Sequence, residues 1–207
     1  MIEVQMLTFG DENTEWLEEC RRGLDDRVVR VHEGMAIEGN VNAARIAIWD
    51  RCGGDLLSFV DPDDVPVLGI WKKLEDTLSL HPEALGVYSL ECRIDSLGAF
   101  MGEQPNTKGK DPSSTPLIAH HVLVVRRSVY EFVRPFALMY KTGIEWLMAV
   151  AAYHHGQLIC LEEVGYKWRR HIKQRGIKLH HVSTLADDFL NWSSGQAGII
   201  KPSYIDS

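Results

Sequence analysis

The sequence predicts one α/β domain built on a mostly parallel, doubly wound central sheet. Three observations predict it. Short apolar runs suited to buried strands alternate with helical periodicity over about the first 90 residues, the order that gives crossover connections between parallel neighbours. One of those runs, Leu57-Ser58-Phe59-Val60, passes directly into Asp61-Pro62-Asp63-Asp64, three carboxylates around a proline. A length of 207 residues is enough for one full core and too short for two domains of ordinary size.

Residues 3–9 read as the first strand and residues 11–24 as a helix with Trp16, Leu17, Cys20 and Leu24 on one stripe. A short strand at 28–31 follows. Gly39 and Asn40 lead into a helix over 41–51 that turns Ala44, Ile46, Ile48 and Trp49 toward the core and stops at Gly53-Gly54. The central strand is 56–60. Pro62 has no amide hydrogen for a ladder and biases Asp61 toward extended backbone, so the acids fall on a sharp turn at the strand's carboxyl end. That edge is where open α/β sheets place ligands. A helix over 66–80 comes next, with Asp64 able to cap it.

Residues 86–90 form the next predicted strand. Residues 103–116 concentrate Pro, Asn, Thr, Lys, Gly, Asp and Ser, a loop long enough for a compact domain that it is expected either to serve function or to lack order. A strand at 122–125, a short helix at 128–133 and a helix at 143–154 capped by Thr142 follow. Strands at 157–161 and 164–168 close the pattern. Beyond Gly176 one amphipathic segment, 185–192, precedes a polar tail.

Composition narrows the function classes. With 22 basic and 29 acidic residues the formal charge is −7, which argues against a duplex-wrapping surface built on clustered Lys and Arg. Cys20, Cys52, Cys92 and Cys160 lack paired spacing, so neither a zinc ribbon nor a disulfide framework is expected and a reducing cytoplasm suits the chain. No signal peptide and no stretch near the roughly 20 apolar residues of a spanning helix are found.

The acidic turn is the first candidate site. Carboxylates this close repel one another when ionised, and a divalent cation with oxygen ligands reconciles them. The pairs His120-His121, His154-His155 and His180-His181 have no zinc spacing and read as structural or surface residues. Arg126, Arg127, Arg134, Lys108 and Lys110 read as a solvated face, with an anionic acceptor as the alternative. Trp146 reads as core, with stacking on a sugar ring as the alternative.

In order along the chain, these features resemble a family 2 glycosyltransferase of the GT-A fold, over about Val4 to His171. Val4-Gln5-Met6-Leu7-Thr8-Phe9 resembles the family's first strand, which cradles the nucleotide base, with Leu7 in place of a usual Pro and Gly10 in place of a usual Asn. Asn42-Ala43-Ala44-Arg45 resembles the helix before the central strand, with Ile46 where Asn is common. Phe59-Val60-Asp61-Pro62-Asp63-Asp64 is similar to the family's Asp-X-Asp-Asp motif, and Val124-Val125-Arg126-Arg127-Ser128-Val129-Tyr130 resembles the segment below the acceptor site. Gly143-Ile144-Glu145-Trp146-Leu147 resembles the Glu-Asp-Trp signature, with Ile144 in the Glu place and Glu145 in the Asp place. Tyr166-Lys167-Trp168-Arg169-Arg170-His171 resembles the Tyr-Arg-X-His ending of many members.

The resemblance implies a metal-dependent transfer of a sugar from a nucleotide-sugar donor, a UDP-sugar foremost, to an acceptor hydroxyl. Thr8, Phe9, Asn40, Arg45 and Asp61 would line the donor pocket. Asp61, Asp63 and His171 would hold Mn2+ or Mg2+, and Glu145 would be the general base. It further implies a GT-A domain over residues 1–175, with a nucleotide-sugar half (1–90) and an acceptor half (91–175), then an extension (176–207) with a short helix. Acceptors stay open among a glycan, a lipid-linked intermediate, a protein and a modified nucleic acid. The loop at 103–116 is expected to order over bound donor. A nucleotidyltransferase would show a Gly-rich basic loop after the first strand, which Thr8-Phe9-Gly10-Asp11-Glu12-Asn13 lacks. The remaining alternative is a non-catalytic nucleotide-sugar-binding or assembly protein on the same fold.

Overall fold

The computed structural model describes residues 1–37, 39–103, 107–114, 122–172 and 182–196. The chain runs through β1 (Ile2–Thr8), α1 (Thr14–Gly23), β2 (Val29–Met35), α2 (Val41–Trp49), β3 (Leu56–Val60), β4 (Val65–Pro66) and α3 (Ile70–Leu80). It continues through β5 (Ala84–Ile94), β6 (Phe100–Glu103), β7 (Leu123–Arg126), α4 (Arg127–Ala137), α5 (Ile144–His155), β8 (Gln157–Arg169) and α6 (Val182–Ser194). The strands make one sheet in the order β2-β1-β3-β7-β5-β8-β4, with β6 on the side of β5.

Strands β1, β2, β3, β5 and β8 run in one direction, and β4, β6 and β7 run against them. The mostly parallel expectation holds, with β7 inserted antiparallel between β3 and β5. Alternation along β1 and β3 feeds two cores, one on each face. Ile2, Val4, Met6, Leu56 and Val60 face α1 and α3, around Cys20, Trp71 and Leu74. Leu7, Leu57 and Phe59 face α2, α4, α5 and α6.

Several boundaries differ from expectation for tertiary reasons. The helix expected from residue 66 begins at Ile70, because Val65 and Pro66 pair with Lys167 and Tyr166 of β8. The two strands expected at 157–161 and 164–168 are the single β8, whose register against β5 shifts near Ser89, Leu90 and Glu91. Strand β6 was not anticipated. Helix α5 is capped not by Thr142 but from a distance: its N-cap is Gly143 (φ 95), and the Ile144 amide donates to Asn42 Oδ1 at 3.0 Å. The same Asn42 side chain donates to the carbonyls of Ala137 and Tyr140, both at 3.1 Å. One buried amide therefore joins α2, α4 and α5. Leu185, Ala186 and Phe189 of α6 lie in the core beside Phe136, so the C-terminal helix packs on the domain.

The arginines expected on a solvated face are clamps. Arg126 donates to the carbonyls of Ala84 (2.7 Å) and Leu78 (3.0 Å), and Arg127 to those of Gly54 and Cys52, both at 2.8 Å. Cations near helix carboxyl ends satisfy carbonyls that have no intrahelical partner. Arg134 grips Asp50 through two bonds at 2.8 and 2.6 Å. Trp146 is core, and its indole donates to Pro112 O at 2.9 Å. His154 meets Asp111 Oδ1 at 3.1 Å, while His120, His121, His180 and His181 lie outside the described residues.

Candidate functional site

The acidic turn stands where the sequence places it, at the carboxyl end of β3. The Asp64 amide closes it by donating to Asp61 O at 3.2 Å. One carboxylate oxygen each from Asp61, Asp63 and Asp64 lies within 4.8 Å of the others. The three acids are not equivalent. Asp64 is 1% exposed; it accepts from the Tyr166 hydroxyl at 2.9 Å and from the Arg169 amide at 2.7 Å. Asp64 is thus the rivet that fixes the turn to β8. The side chains of Asp61 and Asp63 are 39% and 26% exposed, and these two face the opening.

Each has a side-chain partner. Asp61 Oδ1 accepts from Arg45 Nη2 at 3.2 Å, and Asp63 Oδ2 lies 2.7 Å from His171 Nε2. Arg169, almost fully buried, donates to Asp63 O at 2.8 Å and to Glu19 at 2.5 Å. Its guanidinium lies over the Trp16 ring at 5.1 Å, and the His171 ring packs against the same indole at 4.8 Å. His171 Nδ1 is buried without a hydrogen-bond partner among the described residues.

The field of the acids registers on their buried neighbours. Burial, and after it the charges of Asp64 and Asp61, push the Tyr166 phenol well above its usual range. Burial, and then Asp64, Asp61 and Asp63 in that order, do the same to the Cys20 thiol. Both stay protonated at neutral pH. A surplus of negative potential that suppresses ionisation nearby favours an added cation.

Arg45 is the hinge between the two halves of the site. It comes from α2, its side chain is 5% exposed, and it makes an ion pair through Nε with Glu145 Oε1, a carboxylate 13% exposed in the first turn of α5. Its Nη1 donates to Gln5 Oε1 at 3.1 Å, its carbonyl accepts from Gln5 Nε2 at 2.9 Å, and its guanidinium sits 4.9 Å from the centre of the Phe59 ring. Asp61 and Glu145 therefore share one guanidinium. The structure brings together Arg45, Asp61, Asp63, Glu145 and His171.

Thr8 and Phe9 end β1 on the same edge. Thr8 Oγ1 lies 3.4 Å from Met35 Sδ, and Phe9 is 38% exposed. The Phe9 and Gly10 amides both donate to the Glu12 carboxylate, the latter at 2.9 Å. Asn40 is the N-cap of α2, its Oδ1 accepting from the Ala43 amide at 3.1 Å, so that oxygen is committed to the helix. Sequence reasoning gave no role to Tyr166, Arg169, Gln5 or Glu19. Tyr166 and Arg169 lie in the Tyr166 to His171 string and Gln5 in the Val4 to Phe9 string, while nothing local marks Glu19.

The described part of the long loop is tied down. Tyr88 donates to Thr107 O at 3.0 Å, Lys108 pairs with Glu162, and Asp111 and Pro112 bond to α5 as above. Residues 104–106 and 115–116 of the segment lie outside the described residues. A second mixed group, Glu3, His32 and Cys52, also brings its ligand atoms within 4.8 Å of one another. There Glu3 is already met by His32 and by Arg30 Nη1 at 3.3 Å.

This mostly parallel sheet, with its acidic turn at the carboxyl edge of β3, is a single-domain α/β fold of the GT-A type. Solved structures agree: S. aureus TarS 1–349 in complex with UDP-GlcNAc superposes with a TM-score of 0.61 at 13% identity, over 92% of this chain and 71% of that one. TarS 1–349 in complex with UDP gives 0.58 at 14% identity, over 95% and 72%, and the longer TarS chain gives 0.58 at 13%, over 95% and 44%. At these identities the likeness is one of fold. No family model matches the sequence, and no curated protein matches it.

Proposed function

We propose that the chain is a metal-dependent glycosyltransferase that takes a sugar from a nucleotide donor, a UDP-sugar, and passes it to an acceptor hydroxyl. The observation that supports this reading is the shared guanidinium: Arg45 joins Asp61 to Glu145 at the carboxyl edge of the sheet. The fold's likeness to a TarS structure holding UDP-GlcNAc supports the donor class.

The donor set suits a hard divalent ion. Asp61 and Asp63 are partly exposed carboxylates and His171 adds an imidazole beside them, a set that Mg2+ or Mn2+ accepts, with the nitrogen favouring Mn2+. The ion would supply charge neutralisation for a departing diphosphate. His171 Nε2 lies against Asp63 Oδ2, so His171 orients Asp63 and would become a further ligand on releasing that contact. Thr8, Phe9 and Asn40 would border the nucleoside. Glu145, oriented through Oε1 by Arg45, would take the acceptor proton on Oε2; a positioned base contributes about 10²- to 10⁴-fold. The acceptor is a glycan, a lipid-linked intermediate, a protein or a modified nucleic acid. All four cysteines are free thiols, in keeping with a reducing cytoplasm, and no helix among the described residues is long and apolar enough to cross a membrane.

The Arg45–Glu145 ion pair also favours a second reading, a non-catalytic nucleotide-sugar-binding or assembly protein whose Glu145 serves structure. Donor binding is measured calorimetrically across a panel of nucleotide sugars with Mn2+, Mg2+ or chelator, for the intact chain and Asp63→Ala. Metal-dependent binding of one donor, lost in the variant, is expected. No binding under any metal overturns the reading. Binding without donor hydrolysis or transfer to any acceptor selects the second one.

A further inference from the structure

We infer that the β5–β6 hairpin is a docking surface for an anionic lipid bilayer, placed beside the acidic turn. The turn itself explains only part of its sequence. Asp95 Oδ1 accepts from the Leu97 and Ala99 amides, both at 2.9 Å, and Gly98 (φ 84) supplies the left-handed residue. Nothing in that geometry calls for the large apolar residues it carries. Leu97 is 91% exposed, Phe100 66% and Met101 56%, three large apolar side chains within five positions of one protruding element.

The edge is poorly suited to another strand. Strand β6 is four residues long, pairs with β5 alone among the described residues, and is irregular: its register shifts at Arg93 and Ile94, and Gly102 has φ 133. Short, bulged edges resist continuation of a sheet by a further chain. Side-chain insertion into a featureless apolar layer makes no such demand. Charge at the root of the hairpin points the same way. Exposed Arg93 lies opposite Gly102 on β6 and next to Trp168 on β8, and the guanidinium of exposed Arg170 lies over the Trp168 ring at 4.5 Å. An apolar tip with an amphipathic indole and arginines behind it matches the layering of a bilayer interface with anionic headgroups. Glu103 is the exposed acid of the strand, at the end away from the tip.

The hairpin is also linked to the site. Arg169 bridges Asp63 O at 2.8 Å and Asp95 O at 3.4 Å, so a docked hairpin would present the acidic turn at the membrane surface. This surface stands on its own geometry, and donor binding in solution is a separate test of the transferase reading.

The test is co-sedimentation of the full chain with vesicles of phosphatidylcholine alone or with phosphatidylglycerol, at low and high salt. The chain is expected to bind the anionic vesicles and to release at high salt. Leu97→Ser/Phe100→Ser should lose at least about tenfold in partitioning, and Arg170→Gln about fivefold. Leu80→Ser, at a site 78% exposed on the end of α3, should bind like the parent, and circular dichroism should show every variant folded. Absent binding to anionic vesicles, equal binding to both vesicle types, or undiminished binding of the double variant overturns the proposal. So does a concentration-dependent dimer that the double variant abolishes in place of vesicle binding.

Discussion

Replacing Arg45 by Met tests whether one guanidinium holds both halves of the site. The aliphatic stem is kept, so packing on Phe59 is largely preserved while the charge is removed. Three polar side chains then lose a partner: Gln5, Asp61 and Glu145. Removing one member of a buried ion pair costs about 3–5 kcal/mol, because the other charge is left without compensation. Glu145 is 13% exposed and feels this nearly in full, whereas Asp61 at 39% is relieved by water and adds little. The lower end, about 3 kcal/mol, is therefore expected. For a chain of this size that lowers the melting temperature by about 6–12 °C.

Urea denaturation of four proteins, the parent, Arg45→Met, Glu145→Gln and the double variant, closes a cycle. Glu145→Gln leaves Arg45 still bonded to Asp61 and Gln5, so it should cost less, about 1–2 kcal/mol. The double variant should be more stable than Arg45→Met alone, since the stranded charge is gone. A coupling energy of about 1–3 kcal/mol is expected. Additivity within about 0.5 kcal/mol would refute the shared-guanidinium account.

Three further outcomes follow from contacts around the turn. His171→Ala removes the orienting partner of Asp63 and should weaken Mn2+ binding by about 10- to 100-fold by calorimetry. Tyr166→Phe strips a donor from the buried carboxylate of Asp64 and should cost about 1–3 kcal/mol by urea titration; a smaller loss would mean Asp64 finds another partner. Asp50 is held below the usual carboxylate range by the Arg134 guanidinium, against an opposing effect of burial and with help from Tyr130. A depressed acid stabilises the fold above its unfolded pKa, near 4, and loses that stabilisation as pH falls through the folded value. Arg134→Ala should therefore flatten the acid limb of stability against pH by less than about 1 kcal/mol, since both partners are more than a third exposed.

What was legible in the sequence was local. The apolar run before Asp61 and the proline after it carry the strand and its turn within ten residues, and the two-face alternation of β1 and β3 shows in the same way. The direction of β7 was not legible, because it depends on how the chain returns past β6 rather than on the composition of residues 123–126. Arg126 and Arg127 read as solvated since a charge pair next to a strand ordinarily is. Their acceptors, carbonyls in the segment after α2, at the end of α3 and at the start of β5, become neighbours only after folding. The cap of α5 escapes local reading for the same reason: Thr142 is the nearer candidate, but Asn42, 102 residues away in sequence, is adjacent once α2 packs.

The division of labour among the three acids shows why spacing alone is a blunt instrument. Asp61, Asp63 and Asp64 look alike in composition; the resemblance singles out Asp61 and Asp63, and local reading leaves Asp64 as a cap for the following helix. Folding distinguishes them through β8, whose Tyr166 and Arg169 claim Asp64 and bury it. A carboxylate that accepts two strong bonds in the interior has little capacity left for an ion, and withdrawing it would unfasten the turn from the sheet. Asp61 and Asp63 are bonded as well, but to Arg45 and His171 at the rim, where the side chains keep contact with water. An ion that competes for those two gives up little protein structure, so the turn can exchange ligands while its rivet stays fixed. That asymmetry predicts opposite signatures for two nearly identical substitutions. Asp63→Asn should spare stability and remove metal-dependent donor binding, whereas Asp64→Asn should destabilise the chain first and affect the donor only through the loosened turn.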